Sequence, residues 1–123
     1  MERVRGIGGI FFKARDKAAL EAWYRDHLGV PVEKWGGASF VWHEHDAGGK
    51  ASTAWSPFAA DAKYFPNSFM INFRVDNLDA MLAQLRAMGD AVDEKIDDSE
   101  YGRFGWVTDP EGNRIELWQP PSS

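Results

Sequence analysis

FMINFRVDNLDAMLAQLRAMG, residues 69–89, decides the fold. Phe69 to Val75 reads as a strand, and Asp76 or Asn77 stands where an N-cap belongs. Leu78, Met81, Leu82, Leu85 and Met88 then recur at helical spacing, and Gly89 supplies a C′ stop. The same order occurs once earlier. Val4 to Ala14 reads as a strand, Asp16 as a cap, Leu20, Trp23, Tyr24 and Leu28 as a helix face, and Gly29 as its stop.

Each strand–helix opening is followed by short extended runs. In the first half these are Val32 to Trp35, Ser39 to Glu44 and Ala51 to Ser56, separated by Gly36-Gly37 and by Asp46-Ala47-Gly48-Gly49. In the second they are Val92 to Lys95, Arg103 to Thr108 and Asn113 to Trp118. The last two are joined by Asp109-Pro110-Glu111-Gly112, which favours a type I turn closed by a bulge. Overlaying the halves puts Gly29 on Gly89, Phe40 and Trp42 on Phe104 and Trp106, and Trp55-Ser56-Pro57 on Trp118-Gln119-Pro120, a repeat of about 60 residues. Pro57 to Asn67, with two prolines and small or polar residues, reads as a connection between the units.

Composition bounds the function. A chain of 123 residues is one domain by length and large enough to bury a core without disulfides. Its 19 Asp and Glu against 14 Lys and Arg disfavour a nucleic-acid partner, because affinity for a phosphate backbone comes mostly from Lys and Arg. With no cysteine, thiolate catalysis, disulfides and Cys-ligated metals are excluded. The opening MERVRGIGGIFF carries too short an apolar run for a signal peptide, and no later run is long enough to span a membrane, so a cytoplasmic location with no membrane partner is expected.

Three runs carry a family resemblance: IGGIFFKARDKAALEAWYRDHLG (Ile7 to Gly29), FRVDNLDAMLAQLRAMG (Phe73 to Gly89) and YGRFGWVTDPEGNRIELWQP (Tyr101 to Pro120). They resemble the two strand–helix openings and the final hairpin of the glyoxalase / bleomycin-resistance protein / extradiol-dioxygenase superfamily, the vicinal oxygen chelate fold. The DPxGNxxEL pattern of the hairpin is the most specific of the three. The resemblance implies an α+β domain of two βαβββ modules forming a curved, cup-like mixed sheet with helices outside. Module one then spans 1–57, the linker 58–67 and module two 68–120. Two-module members often dimerise, so a homodimer is expected by analogy.

In many members a divalent metal sits in the cup, held by His, Gln or Glu on the first and fourth strands of each module. Carried onto this chain, those positions fall on Gly9, Thr53, Met70 and Glu116. Only Glu116 is a strong ligand type, whereas Zn, Ni or Fe needs about three good N or O donors. No metal and no cofactor are therefore expected at the family site. His43 and His45 share one strand face with Glu44 opposite; they pinch an ion or simply end a polar strand.

Strand alternation proposes the lining of the cup. Phe11 and Lys13 join Gly9 on one strand face, and Met70, Asn72 and Arg74 share another. Arg114, Glu116 and Trp118 share a third, and Thr53 and Trp55 follow from the overlay. Glu116 is the candidate acid or base, or the anchor of a cationic ligand; its alternative is an ion pair with Arg114, Arg74 or Lys13. Six tryptophans supply a pocket wall, a core or an interface, and Trp35, Trp42 and Trp106 have no assignment from sequence. Three functions follow. The first is a protein binding a small organic molecule in an aromatic cup, like the drug-sequestering branch of the superfamily. The second is a metal-dependent lyase, isomerase or dioxygenase with an altered ligand set, Glu116 with His43 or His45. The third is a subunit whose tryptophans form a partner interface.

Overall fold

The structure is a computed structural model that describes residues 1–41 and 52–122. Trp42, the His43-Glu44-His45 run and its expected strand end lie outside those residues. In chain order the elements are β1 (Val4–Ala14), α1 (Lys17–Leu28), β2 (Ala38–Val41), β3 (Ser52–Ala59) and β4 (Phe69–Val75). They continue with α2 (Leu78–Ala87), β5 (Ala91–Val92), β6 (Asp97–Ser99), β7 (Gly102–Thr108) and β8 (Arg114–Gln119). The fold is α+β: a mixed eight-stranded sheet, open and curved, ordered β2-β3-β1-β4-β8-β7-β5, with β6 also on β7.

Local chemistry sets the boundaries. Asp16 accepts from the Ala19 amide and Asn77 from the Ala80 amide, each at 3.0 Å, which caps the two helices. Gly29 and Gly89 end them at φ 69° and 86°. In the β7–β8 turn, Asp109 Oδ1 accepts from the amides of Glu111 and Asn113, both at 2.9 Å, and Gly112 takes φ 86°.

The halves meet at the centre, where β1 and β4 run antiparallel, with β3 parallel to β1 and β8 parallel to β4. Gly9 pairs with Asn72 and Phe11 with Met70, and counting back from the equivalent N-caps Asp16 and Asn77 relates Gly9 to Met70 and Phe11 to Asn72. Ser56 lies beside Phe11, and Glu116 beside Asn72. Ser56, not Thr53, is therefore the counterpart of Glu116. Phe58, beside Lys13, corresponds to Trp118, beside Arg74, so the overlay of Trp55 on Trp118 is three residues out of step.

Two other expectations change. Val32 to Trp35 is not a strand: the Glu33 amide donates to the Gly37 carbonyl (2.8 Å) and the Gly36 amide to the Glu33 carbonyl (2.9 Å). That segment closes a turn on itself, with Gly36 at φ 93°, and Pro31 before it has no N–H for a ladder. The expected strand from Val92 to Lys95 is instead β5 and β6, both on the outer edge of β7 and interrupted between Val92 and Asp97.

The core has two parts. Val75, Leu78, Met81, Leu82, Val107 and Leu117 fill the space between α2 and the sheet. Phe65, Met70 and Trp106 form a second cluster against Phe11, Phe58 and Phe104.

Candidate ligand-binding cup

The second cluster floors a cavity of about 650 Å³, within the range of small-molecule pockets. Strand β3 sends Ser52, Ala54, Ser56 and Phe58 into it, every second residue, as pleating requires. Strand β4 contributes Asn72, β7 Phe104, and β8 Glu116 and Trp118. On β1 the alternation breaks: a register shift between Ile7 and Gly9 inserts an extra residue, so Gly8 and Phe11 line the cavity. Gly8 has no room for a side chain, because a Cβ there would stand 2.1 Å from Asn72 Oδ1 and 2.8 Å from the Trp118 ring. The rim is Trp35, Glu100, Tyr101 and Pro121, with Trp118 Nε1 donating to the Tyr101 carbonyl at 2.8 Å. Tyr64, from the β3–β4 connection, closes one wall.

Glu116 is the polar centre. It is 2% exposed, and both its oxygens accept hydrogen bonds. Asn72 Nδ2 donates to Oε1 at 2.7 Å, Trp106 Nε1 donates to Oε2 at 2.9 Å, and the Tyr64 hydroxyl also donates to Oε2. Burial raises the Glu116 carboxyl above its ordinary range, while the three donors and the Arg114 charge pull it back without cancelling the rise. Burial and the adjacent Glu116 likewise push the Tyr64 phenol up. All three partners donate, so the cage matches the ionised, acceptor-only form of the carboxyl while burial opposes it.

The sequence-predicted residues divide. Phe11, Asn72, Glu116 and Trp118 line the cavity together. Thr53 and Trp55 point away from it: Thr53 donates to the Ile7 carbonyl at 2.6 Å, and the Trp55 ring packs 4.7 Å from Tyr24 on α1 and 5.6 Å from Phe12. Their placement on the cup face came from the three-residue error and is corrected by the register. Met70 is sealed beneath the floor. Lys13 and Arg114 face a separate cleft, and Arg74 lines a small crevice with Gln119 and Pro120, so none of the three is on the cavity wall. Tyr64, Phe58, Ser56, Trp106 and the rim were not anticipated as parts of the site. Trp106 was accessible to reasoning, because a hairpin turning at Asp109–Gly112 pairs it with Glu116. Tyr64 carried only the signal of adjacent aromatics inside an apparent linker.

At the family's metal positions, Gly9 offers no donor and its side-chain space is taken by the Phe11 ring, 2.7 Å from where a Cβ would be. Among the described residues, no group of three or more His, Cys, Asp or Glu is close enough to hold an ion. No helix among them is long and apolar enough to cross a membrane.

A family model described as glyoxalase/bleomycin resistance protein/dioxygenase superfamily matches residues 7–117. The chain belongs to that superfamily. Solved structures of similar fold include methylmalonyl-CoA epimerase from Mycobacterium tuberculosis, at 22% identity and TM-score 0.60, over 96% of this chain and 89% of that one. A single-residue variant of the methylmalonyl-CoA epimerase of Streptomyces coelicolor, in complex with 2-nitronate-propionyl-CoA, is 18% identical with TM-score 0.68, over 98% and 100%. The Mn(II)-bound glyoxalase of Novosphingobium aromaticivorans is 19% identical with TM-score 0.61; it covers 99% of this superfamily member, which spans 41% of that longer chain. No curated protein matches the sequence significantly.

Proposed function

We propose that this superfamily member binds a small organic cation in the aromatic cup and does so without a metal at the family position. The observation that carries the reading is the Glu116 carboxylate, caged by three donors beneath Phe11, Phe58, Tyr64, Phe104 and Trp118. Glu100 adds a second acidic group at the rim, and no Lys or Arg is among the described residues lining the cavity. Aromatic faces attract a cation through their ring quadrupoles, and a desolvated carboxylate adds charge at the centre. Against a metal stand the donors themselves. Glycine, a serine hydroxyl, a sealed thioether and one carboxylate already holding three hydrogen bonds fall short of the three good ligands a transition ion needs.

The test is tryptophan-fluorescence titration with planar aromatic ammonium compounds and their neutral isosteres, beside elemental analysis after exposure to Zn, Ni, Mn and Fe(II). The cations should bind, and Glu116→Gln should weaken them on the order of tenfold, the ratio given by about 1.4 kcal/mol. Equal binding of the neutral isosteres would remove the electrostatic reading. Near-stoichiometric metal, lost in Glu116→Ala, would overturn the metal-free one.

A further inference from the structure

Tyr64 faces two hollows. Its other side borders a cleft of about 630 Å³ formed with the β3–β4 connection, where Lys13, Lys63 and Arg114 converge against one carboxylate, Asp61. This lining is opposite in sign to that of the cup, which has carboxylates and no described cation.

Three features distinguish the cleft from an ordinary solvated surface. Lys13 holds its Nζ 5.2 Å over the Phe65 ring, and Phe65 is fully buried, so the ammonium sits against a fixed wall. Among the described residues, neither Lys13 nor Lys63 has a carboxylate at ion-pair distance. Arg114 is braced by stacking 5.0 Å over Trp106 and by an Nη1 bond to Asp93 at 3.1 Å, yet its buried Nε has no acceptor. Buried donors are normally satisfied, so an unmet one on a side chain that lines the same cleft as two ammonium groups without carboxylate partners points to a missing acceptor.

We propose that this cleft is an oxyanion site, taking a carboxylate or phosphate group between Lys13, Lys63 and Arg114. It does not depend on what fills the cup. The site does, however, share Tyr64 with Glu116, so an occupant touches the residue that donates to the buried carboxylate.

The experiment is an NMR titration of the full chain with inorganic phosphate and with acetate, against chloride at matched ionic strength. The signals followed are the Arg114 Nε–H and the amides of Ala60 to Phe65. Phosphate or acetate should give saturable shifts that chloride does not. The Lys13→Gln and Lys63→Gln changes should each weaken binding by up to about fivefold, as for a partly exposed charge pair, while Asp61→Asn should strengthen it. A stronger response to phosphate identifies a phosphoryl ligand, and an equal response to acetate a carboxylate. Linear shifts, shifts matched by chloride, or affinities unchanged in all three variants would overturn the proposal.

Discussion

The two halves of the chain use the same local instructions and bury them unequally. Helix α2 seals Leu78, Met81 and Leu82 against the sheet, whereas α1 has no buried residue and leaves Trp23 47% exposed. The site is skewed the same way. Glu116, Asn72 and Trp106 all come from the second half, and where Glu116 stands the first half has Ser56. Matching periodicity therefore specifies matching elements without specifying matching depth. Depth depends on which apolar side chains meet the sheet: on α1 Leu20 and Tyr24 are partly buried, with the Tyr24 ring 4.7 Å from Trp55, while Trp23 and Leu28 stay exposed.

The largest test of this asymmetry is a pair of truncations. Leu82→Ala, at a side chain 1% exposed, should cost about 2–5 kcal/mol, transfer and cavity terms together. Leu20→Ala, at a half-buried side chain on α1, should cost about 1 kcal/mol. Urea unfolding at constant m-value measures both. Equal losses would mean that α1 is as much a part of the core as α2.

A second pair compares the counterpart positions inside the cup. Glu116→Ala deprives Asn72, Trp106 and Tyr64 of their common acceptor and should destabilise by about 2 kcal/mol, the penalty of stranded donors reduced by relief of a buried charge. Ser56→Ala should stay within about 0.5 kcal/mol. Were the serine change the more damaging, the assignment of Glu116 as the polar centre would fall.

The same carboxyl gives a pH signature with a definite sign. Burial raises its folded pKa above the unfolded value near 4.5, so the folded state holds the proton more tightly. The stability this contributes is complete below the unfolded pKa and is lost as pH rises through the raised folded value. Thermal unfolding of the wild type should therefore lose ground relative to Glu116→Gln as pH climbs upward from about 4.5. Cation binding should move oppositely and tighten over that window. A difference in melting temperature that is flat with pH would mean Glu116 titrates alike in both states.

What the sequence made legible was local. The bounds of β1 and β4, both N-caps, both glycine stops and the Asp109–Gly112 turn follow from residues within a few positions of each other. The cup residues found by alternation, Phe11, Asn72, Glu116 and Trp118, lie on strands anchored by those signals. Thr53 and Trp55 were misplaced because the phase of β3 is set by its pairing with β1, across the whole of α1 and the segment after it. A three-residue error is odd, so it moves every side chain to the opposite face. Lys13 shares the parity of Phe11, yet it lines the basic cleft while Phe11 lines the cup, with Tyr64 bordering both. No residue-level pattern reports where the β3–β4 connection folds back.

The smallest effect is the most diagnostic of how firmly α1 is docked. Gly29 and Gly89 both take positive φ, and a Cβ at either would meet nothing within 4 Å. Alanine therefore costs only the left-handed backbone penalty, about 1 kcal/mol in each place, and no clash. That penalty is felt in full only where the helix end cannot move. Both ends carry a back-bond, Val30 donating to the Tyr24 carbonyl at 3.2 Å and Asp90 to the Leu85 carbonyl at 3.0 Å, but at Gly89 the chain leads at once into β5, so the strain is retained. At Gly29 the preceding Leu28 is 62% exposed, and the last turn of α1 escapes the strain by fraying at little loss of burial. Gly29→Ala should thus destabilise less than Gly89→Ala in parallel melts, with hydrogen exchange accelerated in the last turn of α1 alone. Equal losses without that acceleration would show that α1, despite its exposed face, is held as rigidly as the helix that carries the core.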